Sequence, residues 1–306
     1  MRSEEVDEGH GYVVASSQVT PFTARGAIRH AALTALSGLW RAGGGTERAL
    51  RRPRIHFVYL HHVFPDEEES FRRLLVALDR DHVFISHSEA VERVGQQMID
   101  RPYVSFSMDD GLKTCRRAAA ILSEFGARAC FFLVTSIVGE SDPGKVRQFC
   151  ASRLQMPPVE FLTWDDAEFL RRQGHEIGSH TLTHARLADI EGAELEQEIF
   201  ESAEMLRSRL GEAAHFAWPY GRFSDVSARA VELTFRAGFS SLASAVRGCH
   251  VAGAPPVSTR DLCILRDHTV AHWPAAHTLY FLARSSASAS PADGMWSTVG
   301  LGGAGP

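Results

Sequence analysis

Between Arg54 and Asp267 the chain alternates short apolar runs with segments whose apolar residues recur every three or four positions. The runs RIHFVYL (54–60), HVFIS (82–86), YVSFS (103–107), ACFFLV (129–134), HEIG (175–178), HFAW (215–218), FSSLAS (239–244) and LCILR (262–266) predict strands. Helical spacing covers 67–79, 89–97, 112–125 and 192–210, with Gly126 where a helix C-cap is expected. Thr163 with Asp166 three residues on is a near match to a capping box and starts a further helix. The stretch 135–160 holds Gly139, Pro143, Gly144, Pro157 and Pro158 and reads as an insertion loop. Near-continuous apolar strands such as ACFFLV imply a sheet covered on both faces, and repeated strand–helix units imply that it is mainly parallel. Pattern alone does not separate a barrel from an open sheet, but in both the chemistry gathers at the carboxyl ends of the strands.

The two ends read differently. Residues 24–40 carry Ile28, Ala32, Leu36 and Leu39 at helical spacing, with Arg25, Arg29 and Arg41 around them. This predicts an amphipathic helix lying on the barrel or on a membrane surface; the rival is a cryptic signal segment with a misplaced start. The opening MRSEEVDEGHG is acidic and lacks the positive start and apolar core of a secretory signal. Residues 285–306, rich in Ser, Ala and Gly, read as a flexible tail. The expected organisation is an N-terminal extension over 1–53, a main α/β domain over 54–284 and that tail.

Composition narrows the partners. In 306 residues the formal net charge is −5, so no overall basic field exists to hold a phosphate backbone, and nucleic-acid binding is excluded as the main role. No run of about 18 apolar residues predicts a membrane-spanning helix. Five scattered cysteines, odd in number and never spaced C-x-x-C, predict buried free thiols rather than a disulfide framework. Free thiols and the lack of a signal place the expected location in the cytoplasm or at the inner membrane face. The fifteen histidines draw attention, because imidazole is both the commonest metal ligand and the usual near-neutral proton carrier.

Three clusters stand at predicted strand ends. SFSMDDG places Asp109 and Asp110 directly after a strand; adjacent carboxylates point apart, so one can ligate a cation while the other stays free as a base. Asp-Asp-Gly is equally a good turn sequence. GSHTLTH places His180 and His184 four apart, a spacing that puts two imidazoles on one side of a helical turn within reach of a single ion. Two surface histidines at a helix start would give the same letters. One Asp and two His suit Zn²⁺ and also accept Co²⁺, Fe²⁺, Ni²⁺ or Mn²⁺, and three protein ligands leave positions open for water and substrate. FAWPYG (216–221), by itself an ordinary turn, offers backbone N–H groups and the ring of Tyr220 to line a pocket.

Taken together and in this order, V-x-F-S-M-D-D-G, A-x-F-F-L-V, L-T-W-D-D-A…G-H-E-I-G-S-H-T-L-T-H and F-A-W-P-Y-G resemble the polysaccharide deacetylases of the NodB-homology type, carbohydrate esterase family four. FVYLHHV is similar to the Y-H-x-V opening of many bacterial members, with His61 at the shared histidine. The resemblance spans about residues 54–270. It implies a distorted (β/α) barrel of about seven parallel strands. It also implies Asp109 as general base, Asp110, His180 and His184 as metal ligands, and the Tyr220 backbone N–H at the oxyanion. A metal-bound water with a pKa lowered toward ~7 agrees with that division of labour. The implied reaction is metal-dependent removal of acetyl from an N-acetylated amino sugar in a glycan or glycan precursor, releasing acetate. The alternatives are an O-acetyl esterase or other C–N amide hydrolase, and a non-catalytic sugar-binding relic.

Two departures from the family pattern matter. Many members carry an Arg in the third motif that orients the catalytic Asp; that position is Ala217 here, and Arg266 at a later strand end is the candidate substitute. A surface Arg266 pairing with Asp261 or Asp267 is the plain alternative. The general acid of the family lies in a late L-x-H motif, whereas Leu265-Arg266-Asp267-His268 has one residue too many. His268 and His61 are the two candidates. The 135–160 insertion and the loop after Gly221 are expected to shape specificity.

Overall fold

The computed structural model describes residues 11–19 and 23–297. Nine strands form one sheet: β1 (Arg54–Leu60), β2 (Val83–Phe84), β3 (Pro102–Met108), β4 (Ala129–Leu133), β5 (Glu176–Ser179), β6 (His215–Ala217), β7 (Ser241–Ala243), β8 (Cys263–Ile264) and β9 (Arg266–His268). Their order is β8-β7-β6-β5-β4-β3-β1-β9, with β2 paired to β3 off this path, and every pairing is parallel. Because β8 and β9 are separated only by Leu265, the sheet curls until its two ends are consecutive in the chain. This is the distorted (β/α) barrel expected, with nine strands where the resemblance implies about seven and eight apolar runs were predicted.

Helices cover the outside: α1 (Ser16–Val19), α2 (Ala24–Ala42), α3 (Gly45–Leu50), α4 (Glu68–Asp79), α5 (His87–Gln96), α6 (Cys115–Glu124), α7 (Pro143–Phe149), α8 (Trp164–Arg172), α9 (Gly192–Leu210), α10 (Ala228–Arg236) and α11 (Ala275–Ser288). The apolar stripe Phe71, Leu74, Leu75 and Leu78 of α4, spaced three and four apart, is buried as its periodicity demands. Strand alternation divides the core in two. On β1, Val58 and Leu60 face the cluster beneath the helices, while Ile55 and Phe57 face a smaller one inside the barrel with Phe132, Ala217 and Ile264. Gly178 on β5 permits that interior: a Cβ there would lie 2.6 Å from the Phe132 ring and 2.8 Å from the His215 carbonyl oxygen.

Several expectations need correction. The 135–160 insertion is not a plain loop. Asp142 caps α7 with Pro143 at its first turn, and a π-helical turn follows over Cys150–Leu154. Proline and glycine punctuate helices as well as loops. The predicted strand 262–266 breaks at Leu265 into β8 and β9. Residues 285–297 are packed rather than a free tail: α11 runs to Ser288, the Cys263 N–H donates to the Gly294 carbonyl at 2.7 Å, and Trp296 lies against Trp218 with ring centroids 6.1 Å apart. The expected tail beyond 297 lies outside the described residues. All five cysteines are buried and free.

Candidate active site

The three motifs and Arg266 meet at the carboxyl ends of β3, β5, β6 and β9, around a cavity of about 350 Å³. Its wall includes every residue singled out from sequence: His61, Asp109, Asp110, His180, His184, Tyr220, Arg266 and His268.

Backbone geometry does the first sorting. The Asp109 N–H donates to the Leu60 carbonyl at 3.0 Å, so Asp109 still follows the sheet, whereas Asp110 turns into the left-handed region with φ 70°. The two carboxylates thereby part. Asp110 Oδ1 lies 3.5 Å from His180 Nε2 and 3.4 Å from His184 Nε2, and one ligand atom from each of these residues falls within 4.8 Å of the others. The two histidines four apart do converge on Asp110, but not by way of a helical turn. Residues 180–184 form no helical turn; Thr181 and His184, with φ 68° and 62°, fold the loop back on itself. The Thr181 hydroxyl accepts from the His184 N–H at 3.0 Å, and Glu198 on α9 accepts from the Thr183 N–H and hydroxyl, which fixes the return.

Hydrogen bonding tests whether a cation fits. His180 Nδ1 lies 2.7 Å from the Ala217 carbonyl oxygen, which can only accept, so Nδ1 carries the proton and Nε2 presents its lone pair to Asp110. Burial lowers the His180 pKa to about 4, so the ring is neutral near pH 7. Two acceptors thus face each other in a buried space, an arrangement that calls for a cation between them. The residues fit a divalent ion, with the Ala217 carbonyl orienting one imidazole as such ligands usually require. Asp110 lies well below the usual carboxylate range: burial works upward, but the hydrogen bond with His184 and the charges of His61, His184 and His180 outweigh it.

Asp109 is gripped differently. Arg266 Nη1 donates to Oδ1 at 2.7 Å and Nη2 to Oδ2 at 2.8 Å, a bidentate fork. The guanidinium also donates to the Ser107 hydroxyl and the Ser244 carbonyl, and sits 4.4 Å from the Tyr59 ring centroid. Arg266 is fully buried, which discards the alternative of a surface pair with Asp261 or Asp267. Asp267 instead accepts from Ser285 and Arg247 and pairs with His56. Burial would raise the Asp109 carboxyl, but the charge of Arg266, that of His180 and the Arg266 hydrogen bonds hold it below its ordinary value.

On the opposite wall the rings of His61 and His268 stand 5.3 Å apart, both edge-on or tilted to Tyr59. Burial, with the charges of His61 and Arg247, lowers the His268 pKa to about 3. Tyr220, with φ 63°, brings its ring to 5.1 Å from that of His184. Sequence reasoning missed part of the wall. Tyr59, His62, Trp218 and Val19 from α1 line the cavity unannounced, whereas Arg153, Leu154 and Met156 come from the insertion expected to shape specificity. One signal was present: Glu67, five residues after His62, is buried and accepts from His62, His272 and the Phe64 N–H, which holds its pKa down to about 2 against the opposing effect of burial.

Comparison with known proteins agrees with this picture. Residues 97–238 match the polysaccharide deacetylase family. Among solved structures, IcaB from Ammonifex degensii superposes with a TM-score of 0.59 at 18% identity, over 74% of this chain and 97% of that one. The Streptococcus pyogenes deacetylase PplD, described in complex with acetate, gives 0.56 at 17% identity over 76% and 98%. A de-N-acetylase from Aggregatibacter actinomycetemcomitans gives 0.51 at 19% identity over 70% and 94%. At such identities the likeness shows the shared fold.

Proposed function

We propose, from the match of residues 97–238 to the polysaccharide deacetylase family, that the protein removes N-acetyl groups from amino sugars of a glycan or glycan precursor, releasing acetate. One observation carries the proposal: Asp110, His180 and His184 converge on a single point beside an aspartate clamped by a buried arginine. These three residues would hold a divalent cation, Zn²⁺ by the borderline character of the donors. Such an ion supplies Lewis acidity toward an acetyl carbonyl and toward an attacking water.

The chain's own groups do the remaining work. Asp109 is kept ionised by Arg266 and is ready to accept a proton, while the fork prevents its carboxylate from rotating. The left-handed turn at Tyr220 would aim a backbone N–H toward the developing oxyanion; losing one such donor typically costs ~2.7–4 kcal/mol. The His61–His268 pair would deliver a proton to the departing amine, with His61 as its carrier near neutral pH because burial strips His268 of its proton. Arg266 would then stand in for the family arginine absent at Ala217. The catalytic unit on this reading is 54–284, with the insertion and α1 closing one wall of the cavity.

The test is acetate release from N-acetylglucosamine oligomers, with acetylated xylan as the comparison, before and after chelation and metal restoration. Metal-dependent release from the oligomers is expected. Preference for xylan would reassign the protein as an O-acetyl esterase, and no turnover on either after Zn²⁺ or Co²⁺ loading would overturn the catalytic reading.

A further inference from the structure

Helix α2 packs one side against α11: Thr34 Oγ1 lies 3.0 Å from His277 Nε2, Trp40 packs edge-on to Tyr280, and Ser37 is buried between them. The other side packs against none of the described residues. Ile28 is 71% exposed, Leu39 72% and Leu36 48%, and the 3.6-residue period places all three on one outward stripe together with Ala32 and Ala35. Three residues of that size on one face are unusual for a surface helix. Arg29 borders the stripe, and Arg25 sits on it at the amino-terminal end of the helix, where its long side chain can reach toward the polar side.

Charge identifies what would cover it. From residue 9 to residue 53 the sequence has six arginines, Arg25, Arg29, Arg41, Arg48, Arg51 and Arg52, against one acid, Glu47, although the whole chain is −5. At the carboxyl end of α2 a cleft of about 410 Å³ is lined by Trp40, Gly45, Arg48, Ala49, Arg52 and Ala287. Arg52 has no ion-pair partner among the described residues, and the buried Trp40 indole N–H has no hydrogen-bond acceptor among them. Apolar residues on the outward face, arginines beside it, and a tryptophan with arginines at its end are what an anionic bilayer surface recognises.

We propose that α2 lies in the surface of an anionic phospholipid bilayer, its apolar stripe among the acyl chains and the Trp40–Arg48–Arg52 cleft against headgroup phosphates. Val19, on the cavity wall, precedes Ala24 by five residues, a length of chain that spans at most about 18 Å. The docked helix therefore keeps the mouth of the catalytic cavity near the lipid.

The full chain is sedimented with vesicles of equimolar phosphatidylcholine and phosphatidylglycerol, and with phosphatidylcholine alone. Binding to the mixed vesicles is expected, falling as salt is raised, with little on the neutral ones. Arg25→Gln and Arg52→Gln should each weaken partition about fivefold. The double variant Ile28→Glu with Leu39→Glu changes only outward-facing residues; it should keep the melting temperature and lose the vesicles. Absence of binding, equal binding to neutral vesicles, unchanged binding by the double variant, or a dimer in analytical ultracentrifugation that this variant dissolves would each overturn the proposal. None of these readouts involves acetyl hydrolysis, so the catalytic reading stands or falls apart from it.

Discussion

Two groups of buried histidines occupy opposite parts of the barrel. At the carboxyl end, His180 and His184 have ring centroids 5.1 Å apart; inside, toward the amino end, His87 and His215 are 4.7 Å apart. Burial depresses the pKa of His180 in the first group and of His87 and His215 in the second. The difference lies in what fills the gap between the rings. Asp110 reaches the first pair with one oxygen at near-equal distances, and the lone pairs converge. In the second, His215 is spent on the hydroxyls of Ser88 and Ser241, and neither His87 nitrogen has a partner among the described residues; that ring packs against Phe57 and Phe132 as an apolar body would. A buried imidazole alone marks nothing. A carboxylate and an imidazole with its outer proton already committed mark a cation site.

The sharpest test of that contrast is Asp110→Asn, which should lower metal affinity by more than about a hundredfold and take turnover with it, measured by metal analysis and acetate release. His215→Ala in the same assays should leave metal content unchanged, and a loss there would erase the distinction. Next come His61→Ala and His268→Ala. The variant that removes the proton donor should lose about 10²–10⁴-fold in turnover and the basic limb of its pH–rate profile, while the other keeps that limb.

Arg266→Ala should follow, with turnover down about a hundredfold from misplacement of Asp109 and metal content intact. It should also cost ~3–5 kcal/mol of stability by leaving a buried carboxylate unpaired. Arg266→Lys, which keeps the charge without the fork, should fall between it and the parent. The smallest effect belongs to the interior histidine. His87 stays neutral when folded but accepts a proton near its ordinary pKa of about 6.5 when unfolded, so its share of stability is complete above that value and is lost as pH falls below it. His250, lowered by burial to about 4, adds to the same slope. His87→Leu should change the neutral-pH stability by under about 1.5 kcal/mol and flatten the loss between about pH 6.5 and 4, read by thermal melts.

What could be read from the sequence was whatever is local. Strands, the Thr163 capping box and the motifs at strand ends each sit within a few consecutive residues, so pattern and turn chemistry suffice. The H-x-x-x-H spacing led to the right residues through the wrong geometry, because left-handed conformations at Thr181 and His184 leave no trace in hydrophobic period. The Arg266–Asp109 fork joins residues 157 positions apart and exists only because the barrel curls, so sequence could offer Arg266 as a candidate but not exclude its acidic neighbours. The insertion and the segment 285–297 failed for a simpler reason. Small and helix-breaking residues resemble loop, while their burial is set by distant partners such as Trp218 and Cys263.

Arg266 also imposes an order of assembly. It stands on β9, the last of the described strands in chain order, and reaches past β1 to a carboxylate that follows β3. A nascent chain synthesised only as far as Leu265 already holds Asp109, Asp110, His180 and His184, yet lacks the guanidinium that clamps Asp109. Hydrolytic competence would arrive with the closing strand, so truncated or half-folded copies would carry the motifs without the reactivity.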